Sequence, residues 1–215
     1  LTPIWFRVIM SDMKSPSPAR GYRMAARAEA AARTARGILT ATAALWRERP
    51  MDEITLAAIA LRAGVSVRTV IRRFGSREGV IAACIESDAA GIVSERDQAV
   101  AGDVAGALRI LLAHYERDGD AVLRTLPLEE KLPEAKAIVQ TGRDGHRLWC
   151  ARVFAPHLPP ASDDAYGVRL DALVAATDLY LWKLLRRDLG RSADATEQVM
   201  RALVDGILSL PHPAA

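Results

Sequence analysis

One stretch constrains this chain more than any other: "TLAAIALRAGVSVRTVIRRFGSREG", residues 55–79. It carries its own helix starts and stops. Thr55 is placed to cap a helix over Leu56–Ala63, because its hydroxyl can accept an orphan backbone N–H of the first turn. Gly64 closes that helix, since glycine takes the left-handed conformation without a Cβ clash. Ser66 then caps Val67–Phe74, Gly75 ends it, and Ser76 caps a further helix through Val80, Ile81, Cys84 and Ile85. Two short helices joined by a three- to four-residue turn containing glycine form a helix-turn-helix. Ala60 is small enough to let the two helices cross closely, and Val65 and Val70 fill the angle between them.

The second helix concentrates cations. Val70, Ile71 and Phe74 are expected to share a docking face, at i, i+1 and i+4. Arg68 and Arg72 are four apart, as are Thr69 and Arg73, so they project from the other side. A helix about 10–12 Å across fits the DNA major groove, where arginine can donate two hydrogen bonds to guanine. The second helix of such a motif enters with its N-terminal part nearest the bases. That part is Val67, Arg68 and Thr69, capped by Ser66; Val67 or the Thr69 methyl can meet a thymine methyl. Arg72 lies one turn deeper. Arg73 and Arg77 are expected on phosphates, and the helix starts at Thr55 and Ser76 offer backbone N–H groups to phosphates. The alternative for each arginine is a solvated surface charge.

Charge is uneven along the chain. Residues 1–86 hold 14 Lys/Arg against 7 Asp/Glu, and residues 87–215 hold 15 against 19, giving +7 and −4 within the overall +3. A basic front on an acidic rear suits a nucleic-acid-binding head on a separate body. Half the residues are hydrophobic, yet no apolar run approaches the roughly 20 needed to span a bilayer. The opening "LTPIWFRVIM" is too short and lacks the cleavage site of a secretory signal. With "SDMKSPSPARGY" it reads as a disordered leader over residues 1–20, and Met10, Met13 and Met24 are each possible starts. Cys84 and Cys150 lack a disulfide framework or zinc spacing and point to two partly buried thiols in a reducing cytoplasm.

The remainder reads as all-α. A first helix over residues 23–49 carries Ile38, Ala41, Leu45 and Trp46 at helical spacing and ends at Pro50. Further helices are expected over 103–118, over a proline-broken stretch at 120–131, from Pro133 with loosening at Gly142 and Gly145, over 166–190, and over 193–210. "HLPPASDD" is a loop. The last two helices are apolar on more than one face, whereas a surface helix needs a single stripe. Leu170, Val174, Leu181 and Leu185, with Val199, Leu203 and Ile207, are therefore expected to meet a second copy in a four-helix interface. Burial of both stripes within one chain is the alternative.

No P-loop, H-E-x-x-H, G-x-S-x-G or G-x-G-x-x-G is present, so no metal, cofactor or catalytic residue is assigned. His146 and Cys150 stand at i and i+4, a spacing that can hold a metal or activate a thiol, but no third partner stands at readable spacing. With Leu111, His114, Tyr115, Trp149 and Tyr180 they supply bulk and a few polar atoms for a small-molecule pocket. Plain core packing is the alternative for each.

Residues 37–81 resemble the DNA-binding head of the TetR family of bacterial transcription regulators. The resemblance rests on Ile38, Leu39, Ala41, Thr55, Ile59, Ala60, Ala63, Gly64, Val65, Ser66, Thr69, Phe74, Ser76 and Glu78. The chain departs where the family usually has tyrosines, at Ile71 and Arg73, where it has phenylalanine, at Trp46, and where it has lysine, at Arg77. The resemblance implies an all-α homodimer with a three-helix head at 21–86 on double-stranded operator DNA. It further implies a body at 87–215 that dimerises and binds a small apolar or amphipathic effector, releasing the DNA: a cytoplasmic repressor rather than an enzyme. With the tyrosines missing, the alternative is a helical small-molecule-binding protein whose DNA binding is weakened or absent.

Overall fold

The computed structural model describes residues 18–210, and among them every regular element is helical. Residues 1–17 of the expected leader lie outside the described residues, while 18–20 already belong to the first helix, α1 (Pro18–Glu48). Only from Ile38 onward does α1 bury a stripe, through Ile38, Ala41 and Leu45; Tyr22 and Met24 are exposed. After a 3-10 turn at Met51–Glu53 come α2 (Leu56–Ala63) and α3 (Val67–Phe74), with the bounds the caps dictate. Thr55 Oγ1 accepts from Ala58 N at 3.1 Å and Ser66 Oγ from Thr69 N at 3.2 Å. Gly64 sits at φ 66°, where a side chain would be strained. Ile38, Leu45, Ile54, Ile59, Ala60, Val70 and Val80 form the core of this head.

Ser76 caps α4 (Arg77–Arg96), which passes without interruption through the expected boundary at 86/87. Its first turns pack on α1 and α3, and it also packs on the body helices α5 (Val104–Thr125) and α6 (Pro133–Val153). A small cluster of Met51, Ile81 and Ala135 joins head to body. The body core is larger: Leu108, Leu111, Trp149, Phe154, Leu173, Trp182 and Met200 are among its buried members.

Three body segments differ from expectation. Helix α5 does not stop at 118 but continues to Thr125, because Gly119 receives the Trp182 ring: a Cβ there would lie 2.6 Å from Cζ3. Helix α6 is continuous through Gly142 and Gly145; glycine costs about 1 kcal/mol per site, which a 21-residue packed helix absorbs. The expected helix over 166–190 is instead α7 (Ala165–Ala176), α8 (Leu179–Lys183) and a π turn at Leu184–Asp188. The break follows from two side chains. Tyr115 Oη donates to the freed Thr177 carbonyl at 3.0 Å, and Asp178 Oδ1 accepts from Tyr180 N at 2.8 Å to start the next helix. The chain closes with α9 (Ala193–Leu208) across α5 and α7.

Candidate functional site

Helix α3 presents two unlike sides. Val70 is fully buried and Phe74 half-buried against the head core, so the helix is held by its apolar side. Ile71, expected beside them, is instead 44 % exposed. It lies one residue, about 100° around the helix, from Val70, and Val70 with Phe74 suffices to dock so short an element. The outer side therefore carries Val67 and Ile71 together with Arg68, Arg72 and Arg73. Among the described residues none of these three guanidinium groups has an ion pair or a side-chain hydrogen bond. Thr69 is half-buried and its hydroxyl meets Ser66 Oγ at 2.9 Å, so it serves the cap. Thr55 and Ser76 are likewise occupied in capping, with their helix starts at the surface.

Arg77 is a correction. Expected on phosphate, it turns inward, with its side chain 22 % exposed. Its Nε donates to the Ile54 carbonyl at 2.7 Å, Nη2 to that of Met51 at 2.6 Å, and Nη1 to Glu134 Oε1 at 2.8 Å. In the connector between α1 and α2 the Ile54 carbonyl lies outside any helix, and that of Met51, which closes the 3-10 turn on Ile54 N, can accept a second hydrogen bond; a guanidinium fork beside them engages both at once. Glu134 lies on the first turn of α6, so Arg77 ties the head to the body. Nothing local distinguishes it from its outward neighbours, since its acceptors come from 23, 26 and 57 residues away.

Beneath the head lies a cavity of about 800 Å³, walled by the end of α1 and by α4, α5, α6 and the α7–α8 junction. Of the residues expected around a small-molecule pocket, His114, Tyr115, His146, Trp149 and Tyr180 line this cavity. Leu111 and Cys150 do not: both are fully buried in the core behind it. Unforeseen were the contributions of α4, where Ile81, Ile85, Asp88, Ile92 and Arg96 follow one another at helical spacing along the wall. Two charges in an otherwise apolar row were the available signal.

The polar groups around the cavity are mostly paired. Buried Asp118 accepts from Arg47 Nε at 2.6 Å and from Arg117 Nε at 2.9 Å. Arg117 also makes a fork on Glu95, at 2.7 and 2.9 Å, which holds that carboxyl below its usual range. Burial pushes the carboxyl of Asp88 up. Burial, and then the charge of Arg96, hold His114 well below 6.5 and bring His146 down to about 4. Both rings are thus neutral near pH 7. For His146 the neighbours fix the tautomer: Nδ1 accepts from Arg96 Nη1 at 3.4 Å and Nε2–H donates to Thr177 Oγ1 at 3.1 Å. Thr177 in turn donates to the Leu173 carbonyl at 2.7 Å. Cys150 stands 3.7 Å from His146 Nε2, but burial pushes its thiol up to about 11, the opposite of what an activated nucleophile needs.

On the far side of the body, α9 turns Met200 and Val204 inward and leaves Val199 and Leu203 exposed. Val174, Leu181 and Ile207 are half-buried against the core, whereas Leu170 and Leu185 belong to the core itself and are closed to a second copy. Leu170 lies on α7, which packs on α6 and α9, and Leu185 in the π turn, which packs on α9; periodicity along one helix does not reveal these partners.

Residues 38–84 match the model of the bacterial regulatory proteins of the tetR family. No curated protein matches the chain. Among solved structures, a protein of Pseudomonas aeruginosa PAO1 assigned as a transcriptional regulator shares the fold, with a TM-score of 0.61 at 15 % identity over 81 % of this chain and 90 % of that one. Among the described residues no helix is long and apolar enough to cross a membrane. Through its capped turn, its outward arginines and the match over residues 38–84, the head of this chain is similar to that of the tetR family of bacterial regulatory proteins.

Proposed function

We propose that the protein is a homodimeric, ligand-released repressor. Its head, residues 21–86, binds a palindromic DNA operator, and its body, residues 87–215, dimerises and holds a small-molecule effector. One observation carries this reading: α3 is anchored by a fully buried Val70 while Arg68, Arg72 and Arg73 stand outward with no hydrogen-bond or ion-pair partner among the described residues. Unpaired guanidinium groups on a rigid helix at the surface are what base edges and phosphates engage. Ile71 and Val67 add apolar contacts suited to thymine methyls. The exposed Val199 and Leu203, with half-buried Val174, Leu181 and Ile207, favour a second copy across α9.

The cavity supports effector control because its walls reach the head. Trp46 Nε1 donates to Thr125 Oγ1 at 2.9 Å, and Arg77 bridges the α1–α2 connector to Glu134. A ligand that separates α4 from α5 and α6 would act on both ties. It releases DNA only by binding the released arrangement more tightly, with a coupling of about 1–3 kcal/mol. Selection of bound sequences from a random DNA pool tests the reading. The expected product is a palindrome with half-sites roughly 34–36 Å apart. Recovery of no sequence, with no salt-dependent mobility shift, would favour a ligand-binding protein without DNA function. Arg72→Ala should weaken the selected operator by about 1–3 kcal/mol while the dimer persists in sizing chromatography.

A further inference from the structure

The cavity wall holds one cation whose charge the protein does not answer. Arg96, at the end of α4, has no carboxylate within ion-pairing distance among the described residues. Its sequence neighbours are engaged elsewhere: Glu95 on Arg117, at 2.7 Å, and Asp97 on Arg152, at 3.3 Å. The other charged groups of the wall are also taken. Asp118 lies between Arg47 and Arg117, Asp178 caps Tyr180, and Arg143 pairs with Glu129. Asp88, still on α4, is two turns away from Arg96, about 12 Å along the helix axis.

What surrounds the Arg96 guanidinium is aromatic and neutral. Its Cζ lies 5.9 Å from the ring centre of Tyr115 and 5.7 Å from that of Trp149, with neutral His146 at 3.4 Å from Nη1. Trp149 and His146 stack at 5.9 Å and 17°, which fixes the plate on which the guanidinium rests. Among the described residues the Nε atom is buried and has no hydrogen-bond partner. A buried donor left unmade is costly, and nearly all buried polar groups in native proteins have a partner, so an exception on a cavity wall calls for an explanation. A guanidinium edge is matched by a carboxylate, which accepts two parallel hydrogen bonds. The remaining wall beside it, with Ile85, Ile92, Val139 and Leu179, offers no second cation without a carboxylate partner.

We propose that the effector is an apolar molecule carrying a single carboxylate, with its acid group on Arg96 and its hydrocarbon or aromatic body along α4. This assignment rests on the reading of the cavity as the effector site. The test is calorimetric titration of the full chain with two acid–alcohol pairs of matched shape, octanoate with octanol and phenylbutanoate with phenylbutanol. Each acid is expected to bind about tenfold tighter than its alcohol or better, as a charge-assisted fork requires. Arg96→Met should abolish that preference, and Arg96→Lys should keep part of it. Circular dichroism checks the fold of both variants; if Arg96→Met is unfolded, the acid–alcohol gap in the wild type and its reduction in Arg96→Lys decide. Equal binding of acid and alcohol, or a preference that survives loss of the cation, overturns the assignment and leaves the effector site standing. Failure of all four compounds to bind overturns both.

Discussion

In the head, each turn is closed by a hydroxyl and an amide three residues apart: Thr55 with Ala58, Ser66 with Thr69, Ser76 with Gly79. In the body, helix positions are set by side chains that reach across the chain. Tyr115 reaches Thr177 over 62 residues and Trp182 reaches Glu116 over 66, beside local caps at Asp103 and Ser192. The difference matters for function. A module closed by local contacts keeps its shape whatever lies beneath it, which suits an element that must fit a groove. A body assembled from distant contacts around a cavity can shift when the cavity is filled.

The largest expected effect therefore lies in the body. Trp182 is fully buried, its ring pressed on Gly119 and its Nε1 donating to Glu116 at 2.8 Å. Trp182→Ala should cost about 3–5 kcal/mol, measured by urea unfolding. Because α4 and the Met51–Ile81–Ala135 cluster join the two regions, one transition at lower urea is expected. A residual transition at the wild-type midpoint would show that the head folds alone and would sharpen the contrast into independence.

Acid should strike the body next. His146 is held at about 4 in the folded chain, against 6.5 ordinarily. Between those values the unfolded chain takes up a proton that the native ring refuses, so stability falls as pH drops from about 6.5 to about 4, by at most about 1.4 kcal/mol per unit from this ring. His146→Gln should flatten that slope in a series of urea titrations. An unchanged slope would mean that the ring is accessible to protons in the native state.

How far these regions could be read beforehand follows from the same contrast. Caps and stops act over three or four residues, so α2 and α3 were legible to the residue from Thr55, Gly64, Ser66 and Gly75. Ile71 was not, because which flank of a two-turn helix docks depends on α1 and α4 rather than on its own spacing. In the body, Gly119 reads as a breaker and is in fact a seat for Trp182. The break at Thr177 is invisible until Tyr115 is known to claim its carbonyl. Five of the seven expected cavity residues line the wall, but Arg96 passed unnoticed, since a lone arginine in an apolar row differs from a solvated one only by what faces it.

Arg77 joins the two regions, and its loss should fall below that of Trp182. Arg77→Met strands a mostly buried Glu134 and the carbonyl of Ile54. About 2 kcal/mol is expected in the same urea assay. The salt dependence of operator binding should keep its slope, because the group does not reach phosphate. A slope reduced by about one unit would return Arg77 to the interface and break the distinction between inward and outward arginines.

The smallest effect on the fold should come from Arg73, four residues earlier, and it tests that distinction from the other side. Its guanidinium is exposed and has no partner among the described residues, so Arg73→Ala should leave urea stability within about 0.5 kcal/mol of wild type. If the exposed side of α3 lies on DNA, each phosphate contact releases counterions, and losing one lowers the log–log salt slope by about one unit. The loss should be equal for selected and unrelated sequences, since phosphate carries no base identity. A full slope after Arg73→Ala would place this residue off the duplex. Combined with an unchanged affinity in Arg72→Ala, it would leave α3 without a cation on DNA in its C-terminal turn, and the head would no longer be set apart from the body by what it binds.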